Sequence, residues 1–224
     1  GQVPEYTVKR ATGKITIDGI LNEADWAAAA SVGPFQFPWW TAGDKEQTEV
    51  KMLWDDKFLY VSYKADDKHI WADHYDTNSD TCLDDCVEIF WNPNPLAGNA
   101  YHMFEMSCLG NLLSVTNNLA RNIKERESRI LPPHIGQTIQ GTVNNDADTD
   151  AGWILEIAIR FADYTELSGG KIPSEGDIWR VGLNRCGGKV NEQFSQWSPS
   201  LTPKPNFHSP NDFGKIIFSL QPVK

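Results

Sequence analysis

Glu88, Glu105 and Glu156 are the carboxylates best placed for chemistry, because each lies in a short, largely apolar run that reads as a strand, the one around Glu156 alternating cleanly. Such runs are strands, so each carboxylate projects from one sheet face. Hydrolysis of a glycosidic bond takes two carboxylates about 5 to 9.5 Å apart, and nothing in the spacing of these three brings two together. Other catalytic patterns are missing. There is no Gly-x-Ser-x-Gly elbow and no His-Glu-x-x-His, and Gly169-Gly170-Lys171 lacks the spacing of a phosphate loop. The chain is therefore expected not to be an enzyme.

The acidic groups offer oxygen to a hard cation. Asp18, Asp55-Asp56, Asp66-Asp67, Asp84-Asp85 and Asn144-Asn145-Asp146 are candidate calcium donors, although none forms a twelve-residue calcium loop. Aspartate runs also cap turns, and that reading stands beside the first. The cysteines are Cys82, Cys86, Cys108 and Cys186, and their spacing lacks the two close pairs of a zinc site. Cys86 and Cys108 are candidates to face each other across a hairpin. Haem needs His or Met ligands facing one pocket. His102, Met103 and Met106 lie close, but His102 and Met103 point to opposite faces, and no Cys-x-x-Cys-His is present. No organic cofactor is expected.

These groups need a scaffold. The chain has 224 residues, 40% of them apolar, which suits one domain over 1–224 with a full core. With 30 acidic and 20 basic residues the formal charge is −10, which repels phosphate backbones and argues against nucleic acid. No segment nears the roughly 18 apolar residues of a membrane span. Gly1-Gln2-Val3-Pro4 carries no export signal and reads as a trimmed start, which leaves export open. Nine tryptophans suit a core and a binding surface equally.

Thr48 to Lys64 reads as a hairpin turning at Asp55-Asp56-Lys57. Cys86 to Trp91 is a third strand, stopped by Asn92-Pro93-Asn94-Pro95, and Tyr101 to Leu109 is its partner. Trp153 to Phe161, Trp179 to Arg185 and Lys215 to Leu220 complete the visible strands. Val115 to Asp150 reads as long loops with one or two edge strands. Helix is limited to short turns at Asn22 to Ala30 and Phe161 to Leu167. The pattern predicts an all-β chain with little helix, a sandwich or barrel.

Five segments extend this reading. They are Ile17-Asp18-Gly19-Ile20-Leu21-Asn22-Glu23-Ala24-Asp25-Trp26, Val50 to Val61, Asp84-Asp85-Cys86-Val87-Glu88-Ile89-Phe90, Trp153 to Ile159, and a C-terminal set. That last set is Trp197-Ser198-Pro199, Asn206-Phe207-His208-Ser209-Pro210 and Phe213-Gly214. In this order and spacing they resemble the family 9 carbohydrate-binding modules over nearly the whole chain. The resemblance implies a two-sheet antiparallel β-sandwich of immunoglobulin or jelly-roll type, in a wider group that includes haem-binding cytochrome domains. It implies a sugar held between two aromatic rings, polar side chains that read its hydroxyls, and structural calcium.

By position, Trp197 matches one of the two rings. The other falls near Cys82, with Trp71 or the pair Trp39-Trp40 as candidate replacements. Glu88 matches the sugar-reading acid, His102 a position where the family often has arginine, and Asn184 or Arg185 the polar amide position. Each has a second reading from its surroundings. Trp197 also suits a core or loop anchor. Glu88 also suits a cross-strand ion pair with Arg185 or Arg160. His102, beside Phe104 and Met106, also suits a satisfied core histidine. Arg185 also suits a pair with Glu88 or Glu156, and His208 the cap of a Ser-Pro turn. The resemblance implies binding of a polysaccharide or oligosaccharide, outside the cell (secreted, periplasmic or on the surface), with a glycoside hydrolase as the expected partner. The rival expectations are an adhesion or scaffold domain without sugar binding, and a haem-binding domain.

Overall fold

The alternating runs do become strands. The computed structural model describes residues 1–118, 123–126 and 133–224, with backbone alone at 117–118 and 123–126. In chain order the strands are β1 (Glu5–Arg10), β2 (Thr48–Trp54), β3 (Phe58–Asp66), β4 (Cys86–Asn92), β5 (Tyr101–Ser107) and β6 (Leu112–Asn118). There follow β7 (Ile123–Arg126), β8 (His134–Gln140), β9 (Gly152–Arg160), β10 (Ile178–Cys186), β11 (Phe194–Gln196) and β12 (Gly214–Pro222). Helix is limited to α1 (Ala24–Ala28) and short 3-10 turns, one of them at Phe161–Asp163.

The sheet order is β7-β6-β5-β4-β10-β12-β1-β2-β3-β9-β8, curled so that its two halves face each other. Facing pairs fill the space between: Val87, Ile89 and Trp91 from β4, Val181 and Leu183 from β10, against Val50, Met52 and Trp54 from β2 and Leu155, Ile157 and Ile159 from β9. One departure from an all-antiparallel sandwich is β1, which pairs parallel to both β12 and β2. Parallel neighbours need a long crossover, and residues 11–47 between β1 and β2 provide it. β1 and β12 thus join the halves into one continuous sheet.

Local chemistry sets the expected turns. Asp55 closes the β2–β3 hairpin by accepting the backbone N–H groups of Lys57 and Phe58 at 2.8 and 2.9 Å. β4 ends before Pro93, where Asn92 accepts the Asn94 N–H at 2.9 Å. The weakly patterned stretch from Val115 to Asp150 holds β7 and β8, the two edges of the sheet, and the rest of β6; part of it lies outside the described residues. The tryptophan question is settled largely towards the interior, since Trp26, Trp54, Trp91, Trp153, Trp179 and Trp197 are all buried.

Two further apolar clusters lie on the outer faces. Trp26 of α1 packs with Leu53, Tyr60 and Ala158 behind β2, β3 and β9. There Glu156 is held by the Trp26 indole N–H at 3.0 Å and by the backbone N–H groups of Asp18 and Gly19. The other cluster lies outside β4, β5 and β10, where Cys86, Phe90, Met103 and Cys186 are covered by Phe207, Phe213 and Trp39. Strand β10 organises this face. Its first half, Ile178–Val181, pairs with β12, and its second half, Asn184–Cys186, pairs with β11 along the same edge.

Candidate functional site

Over that second half opens a cavity of about 360 Å³, within the range of small-molecule sites. Its floor follows from strand register. Glu105 of β5 lies opposite Glu88 of β4, Glu88 opposite Asn184 of β10, and Asn184 opposite Gln196 of β11. One polar residue from each of four strands therefore forms a row across the sheet. The next row is Ser107, Cys86, Cys186 and Phe194.

The polar row is tied together. Asn184 Nδ2 donates to Glu88 Oε2 at 3.1 Å, and Gln196 Nε2 donates to Asn184 Oδ1 at 3.2 Å and to Ser200 Oγ at 3.0 Å. Ser200 returns its backbone N–H to Gln196 Oε1 at 2.8 Å. Thr81 Oγ1 donates to Glu105 Oε2 at 3.4 Å. These bonds fix the side chains before any ligand arrives, which lowers the ordering cost of binding.

The walls are apolar. Phe194 and Phe207 meet edge to face, with ring centroids 6.0 Å apart. Behind them Trp39 lies 5.9 Å from Phe207 and anchors the loop by donating its indole N–H to Thr202 O at 2.8 Å. Cys82 and Leu83 form another wall, from the 3-10 turn Thr81–Leu83. Burial, then Glu105, pushes the Cys82 thiol up to about 12, so this wall is neutral at ordinary pH. His208 completes the rim, stacked on Phe90 at 5.1 Å and bonded through Nδ1 to the Tyr101 hydroxyl at 2.8 Å.

Of the residues nominated from sequence, Glu88 and Asn184 meet at this floor. Trp197, His102 and Arg185 do not, and for His102 and Arg185 strand parity is the reason. Neighbouring residues in a strand face opposite ways. Asn184 shares the outer face of β10 with Cys186, so Arg185 faces inward; Trp197 follows the end of β11 and packs into the interior cluster. Trp197 is 3% exposed, donates its indole N–H to Val32 O at 3.0 Å and lies against Gly214. It is a core anchor and offers no stacking floor. His102 lies across from Trp91 on the interior face, between the Trp91 and Tyr164 rings, with Nδ1 3.1 Å from Thr116 Oγ1. Met106 shares that interior face while Met103 faces out, so the three form no haem pocket. Trp71 is outside the cavity, its N–H bonded to Asp73 at 2.7 Å and its ring covered by Lys189 at 4.5 Å. Trp40 is exposed and covered by Lys45 at 4.5 Å.

Arg185 forms an ion cluster inside the sandwich. Its NH2 lies 3.2 Å from Asp67, 3.6 Å from Glu46 and 3.8 Å from Asp85, and its NH1 donates to Asp66 O at 2.6 Å. These partners differ from the expected Glu88 and Glu156, both of which lie on outer faces. Burial and the neighbouring Asp67 charge raise the Asp85 pKa, against the pull of Arg185.

His102 gives a pH test. Burial lowers its pKa from 6.5 to about 4, so the folded state binds fewer protons than the unfolded chain between those values. Its contribution is fully present above about pH 6.5 and is lost as pH falls through about 4, by roughly 3 kcal/mol at most. His102→Gln is expected to flatten the fall in urea midpoint across that window; an unchanged slope would place the titrating group elsewhere.

Most of the nominated calcium donors accept hydrogen bonds from the protein's own N–H groups. Asp84 accepts the backbone N–H groups of Asp73 and His74, and Asp85 those of Trp71 and Gly188. Asp67 takes Arg185 and the Trp153 indole. Asp55 closes its hairpin and Asp56 pairs with Arg10 at 2.8 Å. Asp18, Asn144 and Asn145 accept backbone N–H groups of Ile20, Ala72 and Ala147. The Cys86–Cys108 pairing fails. All four cysteines are thiols, and Cys108 lies in the interior while Cys86 faces out, opposite Cys186.

Sequence reasoning missed Glu105, Phe194, Phe207 and Leu83. Glu105 was visible as a strand carboxylate, but its place beside Glu88 needs the β4–β5 register. Phe194 comes from the three-residue β11, Leu83 from a 3-10 turn and Phe207 from a loop, none of which a short pattern encodes.

Comparison with known proteins agrees with this fold. No curated protein matches the chain. A candidate carbohydrate-binding protein of Bacteroides uniformis superposes with a TM-score of 0.79 at 20% identity, over 97% of this chain and 100% of its own. A family 9 carbohydrate-binding module of Caldicellulosiruptor kristjanssonii in complex with cellotriose gives 0.64 at 16% identity, over 96% of this chain and 95% of its own. The structure of a family 9 module from that organism with glucose gives 0.62 at 17% identity, over 96% and 97%. At these identities the likeness establishes the β-sandwich fold. The sequence pattern of carbohydrate-binding family 9 matches residues 20–218, and the chain belongs to that family of non-catalytic carbohydrate-binding modules.

Proposed function

We propose that the cavity over β4, β10 and β11 holds the end of a glycan chain. The observation that carries this reading is the row Glu105–Glu88–Asn184–Gln196 beneath the Phe194–Phe207 wall. A pyranose presents an apolar C–H face and an edge of hydroxyls. Phe194 offers the face a partner, and Glu88 and Glu105, which line the cavity, offer the hydroxyls carboxylate acceptors, with Asn184 holding Glu88 from the side. A cavity with a closed floor suits a chain end better than a chain middle, which needs an open-ended groove. The cellotriose and glucose complexes of family 9 modules support a sugar of this size.

One preorganised sugar subsite gives an affinity of about micromolar to millimolar. Such a binder acts by raising local concentration, so the module serves extracellular or periplasmic glycan degradation, in the company of a glycoside hydrolase. A glycan array followed by titration calorimetry tests the reading. Glu88→Gln and Phe194→Ala are each expected to lower affinity about tenfold or more, one by weakening charge-assisted hydrogen bonds and the other by removing the stacking face. Silence of the folded protein across a broad array, or full affinity in both variants, would reject the site.

A further inference from the structure

The cavity floor carries two cysteines that sugar recognition does not use, next to Glu88, which both readings share. Cys86 and Cys186 lie directly opposite each other on β4 and β10, and Glu88 projects two residues on from Cys86 on the same face. All three are buried, and both cysteines are thiols. Cys186 Sγ lies 3.6 Å from Glu88 Oε1, and one donor atom from each of the three lies within 4.8 Å of the other two. Among the described residues this is the single such group of His, Cys, Asp or Glu side chains.

We propose that Cys86, Cys186 and Glu88 form a binding site for one thiophilic divalent cation of the zinc class, with an open coordination position facing the cavity. Two thiolates and a carboxylate are a borderline-soft donor set, which selects such a cation over calcium or magnesium. Tetrahedral zinc at about 2.3 Å from sulfur and 2.0–2.2 Å from oxygen keeps its ligand atoms roughly 3.5 Å apart. The Cys186–Glu88 pair already stands at 3.6 Å, and all three donors lie within 4.8 Å of one another. The surroundings hold the carboxylate in place. Asn184 Nδ2 takes Glu88 Oε2 at 3.1 Å, which leaves Oε1 turned to the sulfur, and Gln196 holds Asn184 in turn. This is the outer support that ligating carboxylates require. Cys186 and Glu88 also line the cavity, so a fourth ligand, water or a ligand hydroxyl, reaches the metal from that side. Binding replaces the two thiol protons and releases them to solvent. The site stands on these three side chains and does not rest on the glycan reading.

The test is cobalt(II) titration of the whole, reduced protein under anaerobic conditions, with zinc competition and mass mapping of alkylated thiols. We expect a sulfur-to-cobalt charge-transfer band with intense tetrahedral d–d bands, saturating at one metal per chain and bleached by zinc. Zinc should protect Cys86 and Cys186 from alkylation and leave Cys108 as it was. Cys186→Ser should abolish the charge-transfer intensity or weaken binding at least a hundredfold. Glu88→Gln, nearly the same shape, should weaken binding about 10- to 100-fold with the fold intact. Cys108→Ser, on the opposite face, should keep the full spectrum. The proposal fails if the folded, reduced protein shows no charge-transfer band. It fails equally if zinc leaves both thiols open to alkylation, or if Cys86 and Cys186 close into a disulfide in the presence of zinc.

Discussion

Arg185→Met is expected to destabilise the protein by about 3–5 kcal/mol, the cost of leaving buried carboxylates without their cation. Asp67 and Asp85 are 3% and 2% exposed, and Glu46 joins them around the guanidinium. Methionine fills much of the volume beside Trp153, whose ring lies 5.5 Å from the guanidinium carbon, so the loss is electrostatic in origin. The sign of the pH dependence follows. Burial already raises Asp85, to about 8, and Glu46, and without Arg185 the cation that opposes this is gone, so the folded state binds more protons than the unfolded chain. The variant should recover stability as pH falls from about 8 towards 5. Guanidinium denaturation at several pH values measures this. A loss that ignores pH would mean that packing, not charge, is what Arg185 contributes. Glycan affinity of the folded variant should change little, because Arg185 faces away from the cavity.

Trp197→Ala is expected to cost about 3–5 kcal/mol through the cavity it leaves in the core. The indole is packed so closely on Gly214 that a Cβ there would come within 2.3 Å of it. Its N–H bond ties the loop after β11 to Val32. Trp197→Phe keeps most of the volume and should remain folded, which separates stability from binding. Calorimetric titration of Trp197→Phe should give an affinity within about threefold of the parent, whereas Phe194→Ala loses about tenfold. If Trp197→Phe lost affinity while holding its melting temperature, the ring would belong to the binding site after all.

Both results turn on a distinction a linear sequence expresses poorly. Alternation showed that Asn184 and Arg185 lie in one strand, and that only one of them faces a given side. It did not say which side is the interior, because β10 and β4 carry large residues on both faces: Val87 and Ile89 inward, Cys86 and Phe90 outward. A strand covered on both faces loses the polar-out signal from which a side is read. Trp197 does lie in the loop that follows the three-residue β11, and its burial there comes from packing that no local period shows.

The sequence by itself determined the all-β class, the central hairpins and their turns, the absence of catalytic motifs and the family. These rest on local chemistry: period-two alternation, aspartate and proline at turns, and short motifs in a specific order. Tertiary structure alone decided which carboxylates meet, which cysteines face each other and which rings wall the cavity. Glu88 and Glu105 are 17 residues apart and Cys86 and Cys186 are 100 apart, yet register makes each pair neighbours. Register is set by the whole sheet burying its faces at once, a condition no short segment contains.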